Sequence, residues 1–342
     1  MRLGVLTGGG DCPGLNAAIR AVVMRGVSLG DELIGLREGW RGLRDNLTAP
    51  LTWEIVEPII NQGGTVLESS RTNPTRSEDS MAECLANARK LDLDALIALG
   101  GEDTLGAAHL LCQRGLNCVG VPKTMDNDLN GTDYTFGFDS AVSVALDAAD
   151  RLKDTARSHR RVMVLEVMGR HAGWVALHTG VGAGADYILI PEIPMAVEDM
   201  TRHITDLKAR GKHWGLIVVS EGVALPQQED VGDETDEFGH VVLRARGVGE
   251  YVAQVVKQTC EIDTRSVTLG HVVRGGPPTP FDRWLATRVG LRAVELAHEG
   301  RFDHMAALHG LEIVAVPLSE AVATLKTVPP ALYREVRVLF SR

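Results

Sequence analysis

The sequence has few cysteines, and none of them are paired by spacing. The 342 residues include five cysteines (12, 84, 112, 118 and 260), an odd number with no CxxC pair. This pattern excludes a disulfide framework and a zinc site, so we predict reduced thiols in a cytoplasmic protein. The opening residues, MRLGVLTGGGD, lack the apolar core of a signal peptide, and we expect no cleaved leader. No apolar run reaches the roughly 18 residues of a membrane span.

The sequence also lacks an excess of positive charge. Its formal net charge is −10, which argues against a nucleic-acid or membrane-surface partner. An anionic ligand would therefore need a local cluster of arginine and lysine. The hydrophobic fraction, 44%, is sufficient for sizeable cores, and the length suggests about two domains.

What the sequence does have is an alternation of short apolar runs and helical patterns. RLGVLT precedes GLNAAIRAVVMRGV, LDALIALG precedes TLGAAHLLCQRG, and the same order recurs with RVMVLEVMG, ADYILIPE and HWGLIVVSEG. Such runs predict an α/β protein with parallel sheets buried on both faces. A helical pattern over 139–159 predicts a bridge between two α/β lobes. The acidic segment 226–240 predicts an exposed loop or hairpin insertion.

Two glycine-rich turns follow predicted strands. TGGGDCPGLN (7–16) opens a helix and can cradle an anion, although it lacks the GK[ST] of a Walker loop and Pro13 breaks GxGxxG. A plain strand-to-helix turn stays open as an alternative. GGEDT (100–104) also frees backbone amides for a phosphate, yet Glu102 and Asp103 follow at once. These two carboxylates raise the question of which anion the turn accepts.

The stretch PKTMDND (122–128) carries two acids, Asp126 and Asp128, two residues apart. In an extended segment they point the same way, and close carboxylates repel unless a metal, a cation or a proton intervenes. One can hold Mg²⁺ while the other serves as a base. Lys123 and Thr124 suit a phosphate. An Asx-rich turn with solvated acids is the alternative.

Further polar residues stand at later strand ends. Arg170 in EVMGRHAGW can neutralise a transferring phosphoryl group, and Glu221 in VVSEG can accept sugar hydroxyls. TRSVTLGHVVRGG carries Arg265, His271 and Arg274, and a strand there would place 265 and 271 on one face. The alternative for Arg170 is a surface ion pair, and the alternative for Glu221 is an acid at the start of a helix with no ligand. The alternative for His271 is a buried structural histidine. Together, however, acids and arginines at many strand ends suit phosphoryl transfer to an alcohol.

Taken together, these motifs resemble those of a known protein family. GGGDCPGLNAAIR, GGEDT, PKTMDND, EVMGRHAGW, VSEG and GHVVRGG occur in the order typical of the 6-phosphofructokinase family, over nearly the whole chain. The resemblance implies two doubly wound, mainly parallel α/β lobes with the active site in the cleft between them. It implies a phosphoryl-donor lobe of 1–138 plus about 273–323, and a fructose 6-phosphate lobe of 139–272 plus about 324–342.

The resemblance also implies residue roles. Asp126 is expected to act as the base for the O1 hydroxyl, and Arg170, Thr124 and Lys123 are expected to take part in catalysis. Glu102 and Asp128 are expected to bind Mg²⁺. The family usually has Asp at position 102. The donor side comprises Gly10, Arg71, Glu102, Asp103, Thr104 and Lys123. The sugar phosphate side comprises Thr124, Asp126, Asp128, Arg161, Met168, Gly169, Arg170, Glu221, Arg265, His271 and Arg274. Arg161 and Arg265 reach a neighbouring subunit's site, which implies a homodimer or homotetramer.

Two positions bear on the phosphoryl donor. Family members that use ATP have glycines at positions 103 and 123, whereas diphosphate-using members have Asp and Lys, as here. A carboxylate at 103 would repel the α-phosphate of ATP, and Lys123 can pair with Asp103 or hold a compact diphosphate. The resemblance therefore implies reversible, Mg²⁺-dependent transfer from diphosphate to fructose 6-phosphate, in glycolysis or gluconeogenesis. The alternative is an ATP-dependent enzyme of the same fold, with Trp40 stacking on adenine.

Overall fold

The computed structural model describes residues 1–226 and 247–340. The predicted acidic insertion at 226–240 lies outside the described residues, apart from Pro226. Within the described part, the strands form two separate sheets. Among the described residues, none of the helices combines the length and the hydropathy of a membrane span. All five cysteines are free thiols.

The first sheet has seven strands in the order β11-β10-β5-β4-β1-β2-β3. Its inner strands are parallel, while β3 and β11 pair antiparallel at the two edges. The strands are β1 (Arg2–Thr7), β2 (Glu32–Leu36), β3 (Thr48–Pro50), β4 (Ala95–Gly100), β5 (Cys118–Pro122), β10 (His304–His309) and β11 (Glu312–Pro317).

The second sheet has four parallel strands in the order β7-β8-β6-β9. Its strands are β6 (Val162–Val167), β7 (Tyr187–Leu189), β8 (Gly215–Ser220) and β9 (Thr264–Thr268). The strands predicted from RLGVLT, LDALIALG, RVMVLEVMG, ADYILIPE and HWGLIVVSEG are all present.

Helices cover both faces of each sheet. Around the first sheet, α1 and α10 pack on one face, and α2, α4, α5 and α11 on the other. Around the second sheet, α6, α7 and α12 pack on one face, and α8 and α9 on the other. The helices are α1 (Leu15–Ser28), α2 (Trp40–Arg44), α3 (Trp53–Val56), α4 (Glu78–Lys90), α5 (Glu102–Cys112), α6 (Phe138–His159), α7 (Trp174–Ala183), α8 (Val197–Ala209), α9 (Val248–Cys260), α10 (Pro280–His298), α11 (Leu318–Ala321) and α12 (Pro330–Arg337).

Strand β4 illustrates why this sequence forms a doubly wound sheet. All of its residues are buried, and they alternate between the two faces. Ile97 and Leu99 join the core with α1 and α10, whereas Leu96 and Ala98 join the core with α4 and α5. Burying such an aliphatic side chain contributes about 1.5–3 kcal/mol, so both faces must be covered by helices. The predicted doubly wound α/β class is confirmed.

The long helix α6 connects the two sheets, as predicted from the pattern at 139–159. A carboxylate from α10 caps its beginning: the backbone N–H and the hydroxyl of Ser140 donate to Asp282 Oδ2 at 2.8 and 2.6 Å. Asp282 is fully buried, and burial raises its pKa to about 6. This contact fixes the start of α6 to a helix of the first sheet.

Candidate active site

The carboxyl ends of strands from both sheets face one cleft. Its walls come from segments that follow β1, β4 and β5 in the first sheet, and β6 and β8 in the second. The sequence had placed its polar motifs at such strand ends, and the structure brings them together. The lining residues include Gly10, Arg71, Glu102, Asp103, Thr104, Lys123, Thr124, Asp126, Asp128, Met168, Arg170, Glu221 and Arg274.

Two cationic side chains hold the glycine-rich turn after β1. The Lys123 ammonium is only 4% exposed as a residue and donates to the Gly10 carbonyl at 2.5 Å. Arg274 Nη1 donates to the Asp11 carbonyl at 3.1 Å. Gly10 lies so close to this guanidinium that a Cβ would overlap it. A turn lined by two cations is a ready anion site. Arg274, which the sequence assigned to the sugar side, thus also contacts the donor-side turn.

The turn GGEDT begins helix α5. Gly101 is the N-cap, Glu102 and Asp103 occupy the first turn, and both carboxylates stand in the lining of the cleft. Thr104 is buried against the glycines that follow β1 and end β4. The first amides of α5 lack intrahelical acceptors and favour negative charge, which stabilises these acids where they stand.

Asp126 has the properties of a general base. Its pKa is raised to about 7, mainly by burial and also by the nearby charges of Asp128 and Glu221, while the charges of Arg274 and Arg170 oppose the shift. Its Oδ1 atom is buried and accepts no hydrogen bond within the described part of the chain. A carboxylate with a pKa near neutrality and an unused oxygen can take a proton from a bound hydroxyl.

The segment that carries the two acids is a turn and not the extended segment in which strand alternation would make them point the same way. Asn127 stands between them with φ 52°, in the left-handed region that Asn tolerates better than most residues. Its side chain is buried, while Asp126 and Asp128 both line the cleft. The acids therefore do share one side, but through a reversed residue rather than through strand alternation.

The opposite wall is built from the ends of β6 and β8. The Gly169 carbonyl accepts hydrogen bonds from Ser220 Oγ at 2.5 Å and from the Gly222 amide at 3.2 Å. Gly169 has φ 141°, a conformation that requires glycine. Its amide donates to Glu221 Oε1 at 3.4 Å, and burial raises the pKa of Glu221. These contacts fix Met168, Arg170 and Glu221 as one unit.

Comparison with known proteins identifies the family of this chain. The family profile described as Phosphofructokinase matches residues 2–297. The chain belongs to the phosphofructokinase family. Its sequence is 53% identical to a pyrophosphate–fructose 6-phosphate 1-phosphotransferase of Streptomyces coelicolor, over 99% of this chain and all of that protein. It is 48% identical to ATP-dependent 6-phosphofructokinase 3 of the same organism, over 98% of each chain.

A solved structure matches the fold of this phosphofructokinase closely. The pyrophosphate-dependent phosphofructokinase of Marinobacter aquaeolei superposes with a TM-score of 0.84, covering all of this chain and 92% of that one at 22% identity. At this identity the likeness concerns the fold alone.

One predicted element of the phosphofructokinase site is wrong in its secondary structure. Strand β9 ends at Thr268, and His271 and Arg274 lie in a short 3₁₀ helix, Gly270–Arg274. Arg265 and His271 therefore share no strand face. His271 is exposed and lines a neighbouring recess, which meets the cleft at the glycine turn, Arg71 and Arg274.

Arg161 and Arg265 lie apart from the cleft. Both guanidinium groups pair with one carboxylate, that of Asp263, at 3.3 and 2.7 Å. Arg161 precedes β6 and Arg265 lies within β9, so both belong to the second sheet. In this phosphofructokinase chain neither arginine is among the residues that line the cleft of the same chain.

Trp40 cannot stack on a nucleotide. It is 1% exposed and packs with α4 and α5 in the core of the first sheet. The adenine-stacking role considered for it is wrong, because the indole is buried in the core on one face of the first sheet and does not line the cleft.

Some lining residues had no assigned role from the sequence. Gly101, Met125, His171 and Leu325 line the cleft. The first three are next to recognised motif residues and could have been found from them. Leu325 comes from a C-terminal segment without any motif, so no local signal marks it.

The acidic residues fit a magnesium ion. Within residues 1–226 and 247–340, no group of three or more His, Cys, Asp or Glu residues could hold a metal ion alone. Mg²⁺ commonly uses only one or two carboxylates and completes its shell with substrate phosphates and water. Glu102 and Asp128, which both line the cleft, satisfy that requirement.

Proposed function

We propose that this chain transfers a phosphoryl group from diphosphate to O1 of fructose 6-phosphate, producing fructose 1,6-bisphosphate and phosphate. The observation that carries the choice of donor is Lys123, whose buried amine sits beneath the glycine turn with Asp103 in the same cleft. Relatives named for either donor are nearly equally similar to the chain, so these two side chains carry the argument. The reaction is close to balanced in energy and serves glycolysis or gluconeogenesis in the cytoplasm.

The residues divide the chemistry between the two walls. Asp126 takes the proton from the O1 hydroxyl, and Arg170 neutralises the transferring group. Gly10, Arg71, Asp103, Thr104 and Lys123 form the side that receives the diphosphate, and Thr124 belongs to the sugar phosphate side. Met168, Gly169, Glu221, His271 and Arg274 hold the sugar phosphate. Glu102 and Asp128 would hold Mg²⁺, which offsets charge on the phosphate oxygens.

The proposed lobes follow the two sheets. Residues 1–138 with about 273–323 form the donor lobe, and 139–272 with about 324–342 form the sugar phosphate lobe. The strands support this division, because β1–β5, β10 and β11 belong to one sheet and β6–β9 to the other.

The donor can be tested directly. Purified protein with fructose 6-phosphate and Mg²⁺ should form fructose 1,6-bisphosphate with diphosphate and show little turnover with ATP. Coupled assays with each donor, run on the same preparation, measure this. Turnover with ATP alone would support the alternative, an ATP-dependent phosphofructokinase. No turnover with either donor would contradict both proposals.

We also propose that the chain forms a homodimer or homotetramer in which Arg161 and Arg265 complete a neighbouring subunit's sugar phosphate site. Their position supports this, because both cations share Asp263 outside the cleft of their own chain. A phosphate from a partner's site could displace that carboxylate from two guanidinium groups already held close together.

Mixing subunits tests the shared site. Asp126→Ser and the double variant Arg161→Glu/Arg265→Glu should each be nearly inactive alone. Random reassociation of a dimer makes half of the molecules hybrid, so about a quarter of all sites should then be complete and active. Recovered turnover after denaturing and refolding the two variants together measures this. A mixture that stays inactive, while co-refolded wild type regains activity, would contradict the shared site.

A further inference from the structure

The C-terminal segment 324–328 runs between the two walls of the cleft. Leu325 forms an antiparallel bridge with Leu129 and lines the cleft itself. The Val328 amide donates to Glu192 Oε1 at 2.8 Å. The same carboxylate accepts from the Gly173 amide at 2.9 Å, directly before helix α7. The segment thus contacts the acid-bearing turn on one side and the start of α7 on the other.

The central contact of this segment is the Lys326 ammonium. Its Nζ donates to the Asn127 side-chain oxygen at 3.1 Å, to the Thr132 carbonyl at 2.9 Å and to the Asp133 carbonyl at 2.8 Å. An ammonium has three N–H donors, so all three find an acceptor in one loop. In addition, the Lys326 amide donates to the Asp128 carbonyl at 2.7 Å.

These contacts converge on the reversed residue between the two acids. Asn127 Oδ1 also accepts from the Thr135 amide at 3.0 Å, and Thr135 Oγ1 donates to the Thr124 carbonyl at 2.6 Å. Because Asn127 has a left-handed backbone, its anchored side chain determines how the turn is oriented. The orientation of this turn determines where the carboxylates of Asp126 and Asp128 point.

We propose that Lys326 is a positioning residue for phosphoryl transfer: its three hydrogen bonds to the 127–133 loop hold the Asp126–Asp128 turn so that both carboxylates face the cleft. The inference rests on the proposed function, since it concerns how the base of that reaction is placed. Lys326 touches no reacting group, and it acts only through the loop.

The test uses Lys326→Met, which keeps the apolar stem and removes the three donors. With diphosphate and fructose 6-phosphate, we expect kcat to fall by about 10²-fold, because misplacing a catalytic group by about 1 Å costs that much. Fructose 6-phosphate binding, measured by calorimetry, should be unchanged. Lys326→Arg, which keeps charge and donors, should recover part of the loss. Lys208→Met is the matched control, since its amine also donates to backbone carbonyls, those of Cys260 and Glu261, and none of these three residues lines the cleft.

A double-mutant cycle separates positioning from general stability. In an Asp126→Ser background, Lys326→Met should lower kcat by much less than about 10²-fold, because only the carboxylate of Asp128 then remains for Lys326 to position. An equal loss in both backgrounds, or wild-type kcat in Lys326→Met, would overturn the inference. If Lys326→Met does not fold, Lys326→Gln enters the same cycle with the same expectation. An inactive wild type would instead contradict the proposed function.

Discussion

Replacing Asp126 with serine should lower kcat for fructose 6-phosphate and diphosphate by about 10²–10⁴-fold, the usual contribution of a general base. Serine removes the buried oxygen that accepts no hydrogen bond and leaves the opposite wall, with Glu221 and the Gly169 turn, in place. Fructose 6-phosphate affinity should therefore stay largely intact. Steady-state kinetics and calorimetric titration measure the two quantities separately. Asp147→Ser, an exposed acid on α6, is the control.

The pH dependence of the wild type should show the same group. Burial raises the pKa of Asp126 to about 7 from an ordinary value of 3.8. Below this pKa the carboxyl group is protonated and cannot accept the O1 proton, so kcat/KM should fall as the pH falls through about 7. The Asp126→Ser variant should lack this acid limb. A wild-type profile that stays flat to about pH 5 would exclude Asp126 as the base, and so would near-normal turnover in the variant.

Replacing Asp103 and Lys123 should change which phosphoryl donor the enzyme uses. The double variant Asp103→Gly/Lys123→Gly should lose kcat/KM with diphosphate and gain it with ATP. Two like charges about 4 Å apart at an effective dielectric constant of about 20 repel by about 4 kcal/mol, roughly 10³-fold in binding. Removing the carboxylate at 103 relieves this repulsion for an α-phosphate. Removing Lys123 opens the space beneath the glycine turn.

Single variants separate charge from size at the same positions. Asp103→Asn removes the charge and keeps the volume, so it should admit ATP only in part. Lys123→Met keeps the volume but frees the Gly10 carbonyl, so it should weaken diphosphate use without creating ATP use. Kinetics with both donors on all variants measure the pattern. A double variant that still uses diphosphate alone would place the donor selection elsewhere in the cleft.

Much of the fold followed from local patterns. β4 is an unbroken apolar run with helices on both sides, and α6 has no internal break, so both were predictable within one or two residues. The polar motifs at strand ends also came together as expected, because parallel strands bring their carboxyl ends to one edge.

The features that the sequence left open or that were predicted wrongly depend on contacts between distant parts of the chain. The Asp126–Asp128 pair lies on a turn because Asn127 adopts a left-handed backbone, supported by the Lys326 ammonium 199 residues further along the chain. Trp40 is buried because of how α2 packs with α4, and an aromatic residue in a turn-rich stretch gives no sign of that contact. Lys326 had no signal at all, since its acceptors are backbone and amide oxygens on a distant loop.

The cap on α6 connects the two sheets whose strand ends form the walls of the cleft. The buried carboxylate of Asp282 fixes the first turn of α6, and the helix runs 22 residues before β6 begins the second sheet. A helix of that length extends about 33 Å, so a tilt of about 5° at its start displaces its far end by about 3 Å. A small rotation at the cap would therefore correspond to a larger displacement at the far end of α6. Such a tilt would change the distance between the wall that carries Arg170 and Glu221 and the wall that carries Asp126.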